Sequence, residues 1–137
     1  MHRYLIGFAL VVALGLLVLW SLPGLRREAV ARNCLANMKS MGYAAASWSF
    51  ENQGNTPTNW LCFSTELVTP KMMLCPADSH RVAVSGWASF GPENSSYEIV
   101  SGGGRWGDPK RVFFRCKVHG YVCLGNGLVL RQAPNLQ

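Results

Sequence analysis

The first third of the chain shows two hydrophobic patterns in succession. From Tyr4 to Leu22 the sequence YLIGFALVVALGLLVLWSL has no charged residue. As a helix this stretch is about 28 Å long, close to the apolar thickness of a bilayer. We therefore predict a transmembrane anchor over residues 1–23. A signal peptide cleaved near Ala29-Val30-Ala31 and a buried core helix are the less favoured alternatives.

After residue 24 the pattern becomes amphipathic. Apolar side chains recur every three or four positions, with polar side chains between them. This periodicity predicts that the helix continues over about 25–51 and ends before Gly54 and Pro57, which disfavour a helical backbone. Packing against a core is sufficient to explain the Met and Trp positions on its apolar face.

The rest of the chain has short alternating runs that are typical of β-strands. We predict a loop over 52–70 and a small antiparallel sheet over 71–131, with a type I′ turn at Asn126-Gly127. The strand signals are strongest in RVFFRCKV (111–118) and YVCLGNGLVLR (121–131), and weaker in KMMLC (71–75) and SSYEIVS (95–101). The predicted fold class is α+β, with a long N-terminal helix packed on a small C-terminal antiparallel sheet in a domain that spans 24–137.

The charges give conflicting evidence on compartment. The net charge is +6, and Arg26, Arg27 and Arg32 follow the apolar stretch, where Arg26 and Arg27 suit contacts with lipid headgroups. By the positive-inside rule these arginines favour a cytoplasmic C-terminal side. The five cysteines and the sequon Asn94-Ser95-Ser96 instead suit an exported domain. No dense basic run with interleaved aromatic residues occurs, and we expect no nucleic-acid binding.

The sequence shows no arrangement of nucleophile, base and carboxylate, and we expect no catalytic residue and no cofactor. The glycine-rich GGGRWGD (102–108) lacks the Lys-Ser/Thr pair of a phosphate-binding loop, which favours a hairpin loop.

A minor metal-site hypothesis combines Cys75 and Asp78 of CPAD with Cys116 and His119 of CKVH, because both pairs have zinc-like spacing. An oxygen ligand would be unusual in a structural zinc site. In an oxidising compartment the same thiols would form disulfides, whose pairing the spacing leaves open. The disulfide candidates are all five cysteines: Cys34, Cys62, Cys75, Cys116 and Cys123.

Several segments also occur in a recognisable order. They are LPGLRREAVARNCLANMKSMGYAAASWSFENQGNTP, LVTPKMMLCPADSHR, WASFGPENSSYEIVSGG, DPKRVFFRCKVHG and the terminal hairpin. Together they resemble the pseudopilin-like proteins of bacterial type II secretion, particularly those of the Verrucomicrobia–Planctomycetes group. The resemblance covers most of the chain beyond residue 22, and it rests on the joint order of the segments.

The resemblance implies a pilin-like architecture and a place in the bacterial inner membrane, with a single pass and the C-terminal domain in the periplasm. The expected function is that of a membrane-anchored structural or assembly component of a type II secretion or type IV pilus-like system, not an enzyme. Its expected partners are membrane lipid and other pilin-like subunits, which it would contact through the N-terminal helix. The resemblance further implies a Cys34–Cys75 disulfide between helix and sheet, with Cys62 near enough to pair with Cys116 or Cys123.

The N-terminus departs from the prepilin pattern. Gly7-Phe8 matches the dipeptide at which prepilins are cleaved, but the fifth position counted from Phe8 is Val12 where prepilins carry Glu. That difference bears on both processing and incorporation into filaments. The alternative functions are therefore a non-polymerising periplasmic binding module and, less favoured, a Cys/His metal-binding or thiol-redox protein.

Overall fold

The fold consists of one long helix and a small sheet. The computed structural model describes residues 2–131, except the side chains at positions 2–6, 8–10 and 19. Helix α1 (His2–Glu51) is followed by an irregular segment and then by four antiparallel strands in the order β1-β2-β3-β4. The strands are β1 (Tyr97–Ile99), β2 (Val112–Cys116), β3 (Tyr121–Leu124) and β4 (Val129–Arg131). The predicted α+β layout, a long N-terminal helix packed on a small antiparallel sheet, is confirmed.

The second half of α1 supplies one side of the core. Cys34, Met38, Met41 and Ala45 are fully buried and recur every three or four residues, which places them on one face of the helix. This face contacts β3, β4 and the turn that follows the helix. The opposite side of the core is mainly aromatic and includes Phe63, Phe113 and Phe114. The amphipathic pattern of the sequence therefore corresponds to the buried stripe of α1.

Helix and sheet approach each other closely at Gly42. A Cβ atom at this position would lie 3.4 Å from the Cys123 Sγ atom and 3.4 Å from the Gly127 carbonyl oxygen. Gly42 therefore allows α1 to rest directly on the hairpin formed by β3 and β4.

The prediction of a single-pass inner-membrane anchor with a periplasmic domain is wrong for this structure. Within the described part of the chain, no helix combines the length and the apolar character needed to cross a membrane.

The predicted strand KMMLC is also absent. Residues Pro70–Met73 form a 3-10 turn instead. Proline at its first position suits helical backbone, and the Thr69 hydroxyl caps the turn by accepting a hydrogen bond from the Lys71 N–H at 3.4 Å. Other 3-10 turns in the segment between α1 and β1 are Trp60–Phe63, Trp87–Ser89 and Pro92–Asn94. The irregular segment is therefore longer than the sequence predicted.

The terminal hairpin forms as predicted, but with a different turn. Gly127 has φ +85°, whereas Asn126 is not among the residues with positive φ, and a type I′ turn requires both. The Gly127 N–H donates to the Leu124 carbonyl at 2.9 Å, and the Leu124 N–H donates to the Leu128 carbonyl at 2.9 Å. This pattern is a three-residue loop that ends in a left-handed glycine.

Candidate functional site

Four side chains of metal-ligand type meet where α1 leaves the sheet domain. Their ligand atoms, three sulfurs and one ring nitrogen, all lie within 4.8 Å of one another. We call this group the Cys/His cluster, and its members are Cys34, Cys75, Cys116 and His119. The three cysteines are buried and the histidine is half-buried.

Each member of the cluster comes from a different local structure. Cys34 is the first buried residue of the α1 stripe, and Cys75 follows the Pro70–Met73 turn. Cys116 ends β2, and His119 lies in the turn that leads to β3. That turn closes through the Gly120 N–H, which donates to the Cys116 carbonyl at 3.0 Å.

Ser96 holds the Cys75 segment in place. Its hydroxyl accepts a hydrogen bond from the Cys75 N–H at 3.0 Å and donates to the Asp78 carboxylate at 2.7 Å. The Ser96 backbone joins the segment to the β2–β3 turn, since its N–H donates to the Met73 carbonyl and its carbonyl accepts from the Lys117 N–H. Two ligand segments that are distant in sequence are thereby held side by side.

The distances within the cluster are those of non-bonded neighbours. The Cys34 and Cys116 sulfurs are 3.5 Å apart, and the Cys75 sulfur is 3.1 Å from His119 Nδ1. The Cys116 sulfur is 4.0 Å from the same nitrogen. Two aromatic residues border the group: the Tyr97 hydroxyl lies 3.5 Å from the Cys34 sulfur, and the Tyr121 ring stacks on His119 at 5.3 Å.

The thiols of the cluster have different proton affinities. The hydrogen bond with Cys34, aided by the backbone N–H groups of Val118 and His119, lowers the pKa of Cys116 to about 5. The pKa of Cys34 is raised by its hydrogen bond with Cys116 and by burial, and burial is the main cause that raises the pKa of Cys75. Cys116 is therefore the thiol of the cluster that loses its proton most readily.

The structure brings together three of the four residues in the metal-site hypothesis. Cys75, Cys116 and His119 are in the cluster, but Asp78 is not a member. Its carboxylate accepts hydrogen bonds from Ser96 and from the His80 N–H, and it pairs with Arg81 at 3.2 Å.

Cys34 takes the fourth position, which the sequence hypothesis missed. Two features of the sequence pointed toward it: its place on the apolar face of the amphipathic helix, and the Cys34–Cys75 pairing that the resemblance implies. Nothing in the local spacing connects that face to the CPAD and CKVH segments.

The disulfide candidates divide into a group of three and two separate thiols. All five cysteines are free in this structure, so the predicted Cys34–Cys75 disulfide is not formed. Cys123 is buried beneath Gly42, and burial raises its pKa to about 12. The Cys62 sulfur lies 3.5 Å from the Thr58 hydroxyl, away from the cluster.

The predicted processing dipeptide, Gly7-Phe8, falls within α1. Gly7 is exposed, and the side chain of Phe8 lies outside the described residues. Processing at this position therefore stays a prediction.

Comparisons with known proteins add no assignment. No protein-family model matches the chain, and neither the curated proteins nor the solved structures contain a match to it. The two features that bear on function are therefore the exposed N-terminal half of α1 and the Cys/His cluster.

Proposed function

We propose that the chain is a pilin-like structural subunit, part of a type II secretion or type IV pilus-like assembly, that associates with other copies through the N-terminal half of α1. The observation that carries this proposal is an apolar helical segment that extends beyond the domain with its side chains exposed. Among the described residues of α1, the first fully buried side chain is Cys34. At 1.5 Å per residue, about 40 Å of helix precedes it from Gly7 onward.

The exposed half of α1 is apolar on all sides. Val11, Leu14 and Val18 lie on one side of the helix, and Leu16 and Trp20 lie on the opposite side. Their exposed fractions range from 58% for Val18 to 87% for Trp20. A helix that is apolar all round is normally buried among other elements, whereas a helix lying on one surface has a single apolar stripe. The pattern therefore favours the interior of a multi-helix bundle.

Burial of these exposed side chains would release enough free energy to drive association. Burying one Leu or Val side chain contributes about 1.5–3 kcal/mol, and the exposed half carries many such residues. A contiguous exposed apolar surface of this kind marks an interaction site. Copies of the same chain supply matching helices, in agreement with the pilin-like order of segments in the sequence.

Charged residues border the apolar half on the side of the domain. Arg26 and Arg27 follow Leu25, and Glu28 pairs with Arg32 at 3.0 Å. These side chains are exposed, and they would lie at the edge of a bundle where water remains. Val12 stands where prepilins carry Glu, and the proposed association therefore depends on apolar contacts.

The test compares two substitutions that each add one carboxylate. Leu17→Glu places it in the exposed half of α1, while Val68→Glu places it in a loop where Val68 is 93% exposed. Burying a charge in a helix bundle costs several kcal/mol, which weakens association at least about 100-fold. Sedimentation velocity of the full chain should show concentration-dependent oligomers for the wild type and Val68→Glu, and monomers for Leu17→Glu. A wild-type monomer at every concentration would contradict the proposal and favour a non-polymerising binding module.

A further inference from the structure

We propose that the Cys/His cluster binds one structural zinc ion through four protein ligands: Cys34, Cys75, Cys116 and His119. The ion would cross-link α1, the segment before β1 and the β2–β3 turn. This role goes beyond assembly through the helix, and its test does not depend on that assembly.

The distances in the cluster fit ligands arranged around a common centre. Tetrahedral zinc, with Zn–S near 2.3 Å and Zn–N near 2.0–2.1 Å, places its ligand atoms about 3.5–3.8 Å apart. The separations of 3.1, 3.5 and 4.0 Å lie below, within and above this range, and all four ligand atoms lie within 4.8 Å of one another. A disulfide, with an S–S bond of about 2.05 Å, would join only two of the sulfurs and leave the third thiol and the imidazole unexplained.

Two of the sulfurs lie at the start of tight backbone turns. In Cys116-Lys117-Val118-His119 the N–H of His119 donates to the Cys116 sulfur at 3.4 Å. A backbone donor of this kind stabilises the deprotonated sulfur, which is the form that binds a metal. In Cys75-Pro76-Ala77-Asp78 the Asp78 N–H closes a turn by donating to the Cys75 carbonyl at 2.8 Å. The first turn therefore presents a sulfur suited to coordination, and the second turn fixes the backbone of another ligand.

The surroundings of the ligands hold their side chains in place. The Tyr97 hydroxyl contacts Cys34, Ser96 fixes the Cys75 backbone, and the Tyr121 ring holds the plane of the imidazole. Such contacts orient ligands and tune metal affinity. His119 also lines an open groove with Tyr121 and Arg131, which provides a route for the ion.

The chemistry and number of the four ligand atoms indicate which ion binds and what role it has. Three sulfurs and one imidazole favour zinc over magnesium or calcium, which prefer oxygen ligands. Four protein ligands fill a tetrahedral shell and leave no position for a substrate or a reactive water, which is typical of structural zinc. In a small domain, such a cross-link adds stability that the apolar core alone supplies only in part.

Metal content and thiol number together test the proposal on the wild-type full chain. After purification without chelator and dialysis, we expect about one zinc ion per chain. In denaturant without reductant, a thiol reagent should then detect all five cysteines, because none is oxidised. Three reactive thiols without zinc would overturn the proposal and favour one disulfide, while five thiols without zinc, even after zinc is added, would overturn it outright.

Matched variants test the identity of the ligands. Cys34→Ser and Cys116→Ser should lose stoichiometric zinc, whereas Cys123→Ser, which also changes a buried thiol, and Asp78→Asn should retain it. If a ligand variant fails to fold, titration of metal-free wild-type protein with Co²⁺ replaces it. Thiolate-to-cobalt charge transfer and tetrahedral d–d bands are the expected result, and an octahedral spectrum would overturn the proposal. Retention of zinc by Cys34→Ser together with its loss from Asp78→Asn would overturn the assignment of Cys34.

Discussion

Gly42→Leu is the most informative substitution at the interface between helix and sheet. A leucine would gain roughly 0.6–1 kcal/mol over glycine in helix propensity. Its Cβ, however, would already lie 3.4 Å from both the Cys123 sulfur and the Gly127 carbonyl oxygen, so that the three further carbon atoms of leucine would have to fit beside atoms already in contact. Forcing extra atoms into a packed core typically costs about 1–3 kcal/mol, with larger values where backbone must move. We therefore expect a net destabilisation of about 1–2 kcal/mol.

Urea unfolding with excess zinc measures this effect. With a slope of about 1–2 kcal/mol per molar urea, the midpoint should fall by about 1 M in Gly42→Leu while the slope stays unchanged. Tyr43→Leu is the matched control, because Tyr43 is the next residue of α1 and is 76% exposed. Its midpoint should change little, since exposed substitutions are usually within about 0.5 kcal/mol. A Gly42→Leu protein as stable as the wild type would refute the close contact of α1 with the β3–β4 hairpin.

Two further predictions concern the metal site. Because Cys34 and Cys75 have raised pKa values, zinc must displace about two protons at neutral pH, and its apparent affinity should fall roughly 100-fold for each unit by which pH is lowered. Competition with a chelator of known proton affinity checks this, and a pH-independent affinity near neutrality would be inconsistent with thiolate ligands. Tyr97→Phe removes the hydroxyl beside the Cys34 sulfur and should weaken zinc binding about tenfold or more, while Tyr43→Phe should not. Equal affinities in the two variants would show that the Tyr97 hydroxyl has no part in the site.

Local patterns in the sequence predicted the parts of the fold that are determined by residues close together in the chain. The three- and four-residue spacing that includes Cys34 and Met38 encodes the buried stripe of α1, because helical geometry alone places these residues on one face. The terminal hairpin was likewise predictable from a glycine that favours positive φ. The prediction of a strand at KMMLC is wrong because Thr69 caps and Pro70 begins a 3-10 turn that includes the first three residues of this run.

The cluster depends on tertiary contacts that the sequence does not reveal. Cys116 and His119 share one turn, and their spacing alone identified them as a ligand pair. Cys34 is brought to them only because α1 packs on the sheet, and no local spacing encodes that contact. Asp78 has the spacing of a ligand, but its carboxylate instead accepts a hydrogen bond from Ser96 and forms an ion pair with Arg81. The membrane prediction is wrong because, within the described part of the chain, no helix is long and apolar enough to cross a membrane.

X-ray absorption at the zinc edge of the purified full chain measures the identity and distance of the ligand atoms without any substitution. Zinc held by the Cys/His cluster has a first shell of about three sulfurs near 2.3 Å and one nitrogen near 2.0–2.1 Å. A shell made of oxygen and nitrogen alone, or protein that takes up no zinc, would contradict zinc binding by the cluster.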